Sequence, residues 1–295
     1  MTCSTKSLQI SQSVWGLGRT GTGTTETAKG RSRACGLASS ARIMRDLSIY
    51  NHLHNIYMIH LVTYATHSEG KFEELVKNKD IVVLGFGTKW NGLTDKYRGV
   101  LEYIKVLKDD EIVCFIDGFD SVLVKDAATI EKRFKASGSK VLFSKETPDL
   151  FKKVVFRPCK KSDIINTGLY IGYVKYLKPV LEDSLSLTCT DDQINVNSMC
   201  EKYDYIDIDT DYTVFYNVPF FDRGTYPDTC VVSYPGKMLT FNKIIRSVKF
   251  YTQFILVPLL ALLIALAVQF PTYRPHLALL TVIIAASVDF SCANI

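Results

Sequence analysis

The chain has 295 residues, 47% of them hydrophobic and 22% charged, with a formal net charge of +5. That length can bury a substantial core in one large domain or two small ones. The positive excess sits in residues 1–45, where Lys6, Arg19, Lys29, Arg31, Arg33, Arg42 and Arg45 face one acidic residue, Glu26. The remainder is close to neutral, which argues against a nucleic-acid partner.

Residues 1–55 are rich in Ser, Thr, Gly and Arg and show no sustained periodicity. Such a segment cannot offset its own ordering entropy and reads as disordered or as a leader. Its acid-poor, Ser/Arg-rich composition also fits an organelle transit peptide, or translation assigned from too early a start, with Met58 as the native one. The Gly-rich stretch Gly16–Thr25 lacks a preceding strand and a following Lys-Ser/Thr, so it is not a phosphate loop.

Order is expected from about residue 56, and a single domain over 56–242. Tyr57–Ala65 reads as a strand, Ser68–Val76 as a short helix and Ile81–Phe86 as a second strand. Thr94–Lys108 places Tyr97, Val100, Leu101, Ile104 and Leu107 on one helical face. Ile112–Ile116 is a continuous apolar run, the mark of a strand buried on both faces. It leads straight into Asp117-Gly118-Phe119-Asp120. Two carboxylates delivered to the carboxyl edge of a parallel sheet suit a hard cation such as Mn²⁺ or Mg²⁺ and the phosphates it binds. The residues by themselves equally fit an Asp/Gly turn with solvated carboxylates.

A helix over 126–137 and a strand over Lys140–Ser144 complete a β-α-β-α-β-α-β alternation, which predicts a doubly wound, mostly parallel α/β sheet. Phe151–Asp163 carries Lys152, Lys153, Arg157, Lys160 and Lys161 around Pro158 and reads either as a mobile basic loop over the site or as a solvated connection. Ile164–Gly172 is a further strand. Thr190 is the expected N-cap of a helix running to about Glu201, and Asp191 and Asp192 suit its positive end. Short strands follow at Tyr205–Ile208, Thr213–Tyr216 and Cys230–Tyr234. The literal Asp209-Thr210-Asp211 follows a weaker strand and ranks below Asp117/Asp120 as a metal site. The cysteines are scattered, with no CxxC and no Cys/His pairing; a zinc site is not expected, no disulfide framework is demanded, and a reducing compartment is preferred.

From Phe250 to Tyr273 no residue is charged. About 20 apolar residues span a bilayer, so 250–270 is expected to be a transmembrane helix and membrane lipid a partner. A second apolar run at 277–290 either completes a hairpin or inserts partly. Lys237, Lys243, Arg246 and Lys249 precede the span, against Arg274 beyond it, which places the domain in the cytosol by the positive-inside rule. A lumenal placement would need a signal segment that the sequence does not display.

Seven segments recur in one order: Val62–Thr66, Val83–Trp90, Lys96–Arg98, Phe115–Asp120, Val141–Ser144, Asn166–Gly172 and Asp191–Gln193. In these, residues 61–217 resemble the glycosyltransferase domain of the multifunctional procollagen lysyl hydroxylases and its virus-encoded relatives. The resemblance implies a GT-A fold, a UDP-sugar as hexose donor, a divalent metal (usually Mn²⁺) and a hydroxyl acceptor on protein or glycan. It implies that Asp117 and Asp120 bind the metal, that Val62, Thr63 and the Gly85–Trp90 loop hold the uridine with Trp90 beside it, and that Lys96 meets the diphosphate. Asn166 and Gly168 would line the sugar pocket, with Asp191 and Asp192 as general base or orienting groups. Read without the family, Lys96 is an exposed helical lysine and the two aspartates are ordinary helix N-terminal carboxylates. The family's third metal ligand is a histidine near the domain end; here Ser233 or Tyr234 stands in its place. The loop after Ser144 is shorter than in the collagen enzymes and lacks their tryptophan, so collagen is not implied as the acceptor. The reading from another class is a catalytically weak, transferase-like protein that binds a nucleotide-sugar or a partner at a membrane.

Overall fold

The computed structural model describes residues 59–78, 80–147, 150–160, 163–219, 226–235, 254, 256 and 258–285. The segment 1–55 and the start at Met58 lie outside them. The expected strands become β1 (Ile59–Tyr64), β2 (Ile81–Leu84), β3 (Ile112–Ile116), β5 (Val141–Lys145), β6 (Ile165–Tyr173) and β7 (Ile206–Asp209). They form one sheet in the order β2-β1-β3-β6-β5-β7. β1 runs parallel to β2 and β3, and β5 parallel to β7, while β6 runs antiparallel to both β3 and β5. The sheet is mostly parallel, as expected, with β6 as its reversed strand. Because of that reversal, the amino end of β6 shares an edge with the carboxyl ends of its neighbours.

All five residues of β3 are buried. Alternate side chains leave a strand on opposite faces. Val113 and Phe115 accordingly enter a core with Val62, Tyr97, Val100 and Tyr170, whereas Ile112, Cys114 and Ile116 enter a second one with Leu61, Ile130, Phe134 and Phe215. Each fully buried aliphatic or aromatic side chain stabilises the fold by roughly 1.5–3 kcal/mol relative to leaving it exposed. The first face is covered by helices α2 (Asp95–Ile104) and α5 (Val174–Ser186), the second by α3 (Ala127–Ser137) and a small sheet. Helix α1 is short, Phe72–Val76. The small sheet orders as β4 (Ser121–Leu123), β9 (Val231–Ser233) and β8 (Phe215–Asn217).

Several expectations are corrected. The basic stretch after Pro148 contains a helix, α4 (Leu150–Phe156). Two of its neighbourhood's lysines are pinned: Lys152 Nζ donates to Glu146 at 2.8 Å, and Lys160 Nζ to the carbonyls of Asp204 and Ile206. Helix α6 (Asp192–Met199) is capped by Asp191, not Thr190, because the Asp191 carboxylate accepts the Ile194 N–H at 2.9 Å. Residues 173–189, given no element from sequence, hold α5, whose interior Pro179 hides it from a helix reading. Cys159 and Cys200 form a disulfide, which the scattered cysteines did not demand and which runs against the preference for a reducing compartment. It ties the segment before β6 to the end of α6.

Among the described residues no helix is long and apolar enough to cross a membrane. Part of the expected 250–270 span lies outside the described residues. Positions 258–269 are helical, and α7 (Arg274–Ala285) follows after the 3-10 turn Pro271–Tyr273. Arg274 Nε donates back to Ala267 O at 3.1 Å across the turn, and Ile264 and Val268 line one pocket with Ala278 and Thr281, so the two helices form a hairpin. At about 1.5 Å per residue, the twelve residues of α7 extend roughly 18 Å, short of the ~30 Å hydrocarbon layer.

Candidate active site

The site assembles where β1, β3 and β5 end and β6 begins. Asp117 follows β3, its N–H donating to Gly168 O of β6 at 2.8 Å. Its Oδ1 accepts the Phe119 N–H at 3.1 Å, which shapes the turn toward Asp120. Gly118 is required by close approach: a methyl group there would come within 2.9 Å of Thr63 Oγ1 and 3.1 Å of the Tyr64 carbonyl. Gly168 has the same function beside the carboxylate, since a methyl group on it would meet Asn166 Oδ1 at 3.0 Å and Asp117 Cβ at 3.6 Å.

Asp120 is held from two sides of the small sheet. Ser233 Oγ donates to its Oδ1 at 2.9 Å and Ser121 Oγ to the same atom at 3.2 Å. Burial, then the charge of Asp117, push the Asp120 carboxyl up to about 7. Ser233, at the position where the resemblance would put a histidine, therefore touches Asp120.

Lys96, on the first turn of α2, is buried and pairs with Asp192 at 2.7 Å. Burial alone would lower it, but Asp192, Asp117 and Asp191 more than offset that and hold it above its ordinary value. It is thus a fixed ammonium, not an exposed helical lysine. Thr167 Oγ1 donates to the same Asp192 oxygen. Asp191 is buried beside it; burial and the Asp192 charge push its carboxyl up to about 7.

Asn166 is held at both ends of its amide: Nδ2 donates to Glu146 at 2.7 Å and Oδ1 accepts the Gly168 N–H at 2.8 Å. Thr63 is buried, and its hydroxyl has no partner among the described residues. The Val62 side chain lies in the core, packed with Phe115 and Tyr97, so it presents no side chain to a ligand. Trp90 is half-buried with its ring 6.0 Å from that of Tyr64 at the end of β1. Lys96, Asp117, Asp120, Asn166, Gly168, Asp191 and Asp192 are thus brought together through β3, β6 and the starts of α2 and α6, while Trp90 stands at the β1 side of that edge. Asp209 is not part of it: its carboxylate is saturated by the N–H groups of Thr213, Val214 and Phe215 and the Thr213 hydroxyl.

Glu146 was missed from sequence. It is buried at the end of β5 and binds Asn166 and Lys152. The signal that picked Asp117, a carboxylate just past an apolar strand, is present in Ser144-Lys145-Glu146 as well.

The model of the PLOD GT domain matches residues 54–221. The chain belongs to this family. As a PLOD GT domain it is a glycosyltransferase of mixed α/β fold. Procollagen-lysine,2-oxoglutarate 5-dioxygenase 1 of Gallus gallus is 26% identical over 177 residues, which are 54% of this chain and 24% of that protein. The multifunctional procollagen lysine hydroxylase and glycosyltransferase of Caenorhabditis elegans is 27% identical over 184 residues, 54% and 25% of the two chains. The chain spans about a quarter of the length of these curated relatives. A galactosyltransferase solved with donor and acceptor sugar analogues aligns over 59% of this chain and 74% of its own, at 13% identity and a TM-score of 0.35.

Proposed function

We propose that the chain is a metal-dependent, GT-A-type enzyme that moves a hexose from a UDP-sugar to a hydroxyl of a protein or glycan. The observation that carries this is the convergence of Asp117, Asp120, Asp191 and Asp192 on one sheet edge around a single buried lysine, Lys96. Like charges gathered and desolvated in this way are costly without a cationic or polar ligand to receive. The donor set fits a hard cation: Asp117 and Asp120 would hold it, and burial, then the Asp117 charge, raise the Asp120 carboxyl, a cost that a bound cation would offset. When bound, the metal supplies charge neutralisation for the departing diphosphate.

The remaining roles belong to the chain's own groups. Lys96, kept protonated by its carboxylate neighbours, offers a fixed positive charge to the diphosphate. Asp191, poised near neutral pH, suits a general base for the acceptor hydroxyl, with Asp192 fixed by Lys96 and Thr167 to orient it. Asn166 and Gly168 form the sugar-side wall, and Thr63 and Trp90 the nucleoside side.

We also propose that the C-terminal hairpin associates with membrane lipid. Leu259, Leu262, Ile264, Val268, Leu279 and Val282 are exposed on its two helices. The Cys159–Cys200 disulfide favours an oxidising compartment for the domain over the cytosolic, reducing one read from the sequence.

Thermal shift of the full chain with UDP and a divalent cation tests the site. Ligands that bind the folded state raise its melting temperature by mass action. The shift should require both together and vanish in Asp117→Ala. No shift with any common UDP-sugar, with or without cation, would overturn the reading.

A further inference from the structure

Ser233 ends β9, and its place there fixes what a side chain at this position reaches. It pairs with Ser121 across β4 and with Asn217 across β8. The next N–H, of Tyr234, donates to the Asp120 carbonyl at 2.9 Å, so the strand end is clamped onto that aspartate. The Ser233 and Ser121 hydroxyls both load Asp120 Oδ1, which leaves Oδ2 without a protein partner among the described residues. Asp117 is divided in the same way, with Oδ1 taken by the Phe119 N–H. Every donor these residues offer a cation is an oxygen. An imidazole does lie near, since the His67 ring is 5.2 Å from that of Phe119, but its nitrogens are engaged by Thr66 at 3.0 Å and Glu69 at 3.1 Å.

We infer that Ser233 makes this an all-oxygen cation site that accepts Mg²⁺ about as readily as Mn²⁺ and fills only when a diphosphate supplies the remaining oxygens. The inference rests on the metal-dependent reading above. A ring nitrogen strengthens binding of transition metals over Mg²⁺, whereas carboxylate, hydroxyl and phosphate oxygens serve Mg²⁺ and Mn²⁺ alike. Two carboxylates leave most of a six-coordinate shell to water, and Mg²⁺ is commonly held by one or two carboxylates plus substrate phosphates.

The test is Mn²⁺ binding to the full chain, read by loss of the free-ion EPR signal, with and without UDP and with Mg²⁺ as competitor. Mn²⁺ should bind on the order of tenfold or more tightly with UDP present, and Mg²⁺ should displace it at concentrations within about tenfold of its own. Ser233→His should tighten Mn²⁺ roughly 10–100-fold, weaken competition by Mg²⁺ and add nitrogen coupling to the pulsed EPR spectrum. Ser233→Asp, a smaller change, should tighten both cations and leave their ratio alone. A wild-type preference for Mn²⁺ on the order of a hundredfold, tight Mn²⁺ binding without UDP, or an unchanged Mn²⁺/Mg²⁺ ratio in a folded Ser233→His protein overturns the inference and leaves the metal reading standing. If no cation binds even with UDP, the metal reading fails and takes this inference with it.

Discussion

At the scale of single residues, the Asp117–Asp120 turn depends on the absence of a side chain between its two aspartates. Gly118→Ala drives a methyl group against Thr63, Ala65 and the Tyr64 carbonyl at 2.9–3.1 Å. Overpacking of this kind costs about 1–3 kcal/mol, and denaturant unfolding should show it; a loss within the error of the measurement would mean that β1 yields. The buried carboxyls make a second prediction. Asp120 and Asp191 keep their protons to about pH 7 when folded but lose them near 3.8 when unfolded. In that interval the folded chain binds more protons, so stability falls as pH rises. Asp126, Asp183 and Asp228 are held below 3.8 and act outside the window. The ligand-free protein should therefore melt higher near pH 5.5 than near pH 7.5, and UDP with a cation should flatten the trend. A melting temperature that climbs with pH over this range would contradict the raised carboxyls. Asp117 and Asp120 stood out because they directly follow a fully apolar run, although an Asp/Gly turn fitted them equally; Asp192 was singled out only through the family resemblance, since its own segment reads as an ordinary helix start. Glu146 carries the same signal but stands one residue after Lys145, in a segment that reads as a polar turn. The Lys96–Asp192 pair joins α2 to α6, and no local pattern brings those two helix starts together.

At the scale of elements, β3 was readable because five consecutive apolar residues can be buried on both faces only in a strand with layers above and below. The direction of β6 was not: residue pattern fixes which side chains face which core, whereas strand direction follows from the connection. That connection, α4 and the segment after it, is closed onto α6 by Cys159–Cys200, which are 41 residues apart. Closing a loop of that size stabilises by about 2–4 kcal/mol. Reduction, or Cys159→Ala with Cys200→Ala, should lower the melting temperature accordingly; an identical melting curve with and without reductant would show that the bond is not formed. The N-cap of α6 moved from Thr190 to Asp191 because a carboxylate one residue later reaches the Ile194 N–H. The shift matters to the site, since it fixes Asp191 at the helix start while Asp192 turns toward Lys96.

At the scale of the whole molecule, one sheet edge collects groups from parts of the chain as far apart as Thr63 and Ser233, and a hairpin follows whose described residues leave Leu262, Ile264, Val268, Leu279 and Val282 exposed. Phe254 packs against the cluster of Val155, Phe156, Ile164 and Ile194, linking the approach to that hairpin with α4 and α6. The full chain should float with lipid vesicles through this hairpin; recovery away from the vesicles would contradict the association with lipid. The central claim concerns the edge itself and is tested most directly by following UDP release from UDP-hexoses by the full chain, with Mn²⁺ or Mg²⁺ and then with chelator. Release should depend on the cation, be abolished by chelator and fall by on the order of a hundredfold or more in Asp117→Ala. Release that is indifferent to chelator and unchanged in Asp117→Ala would contradict the claim.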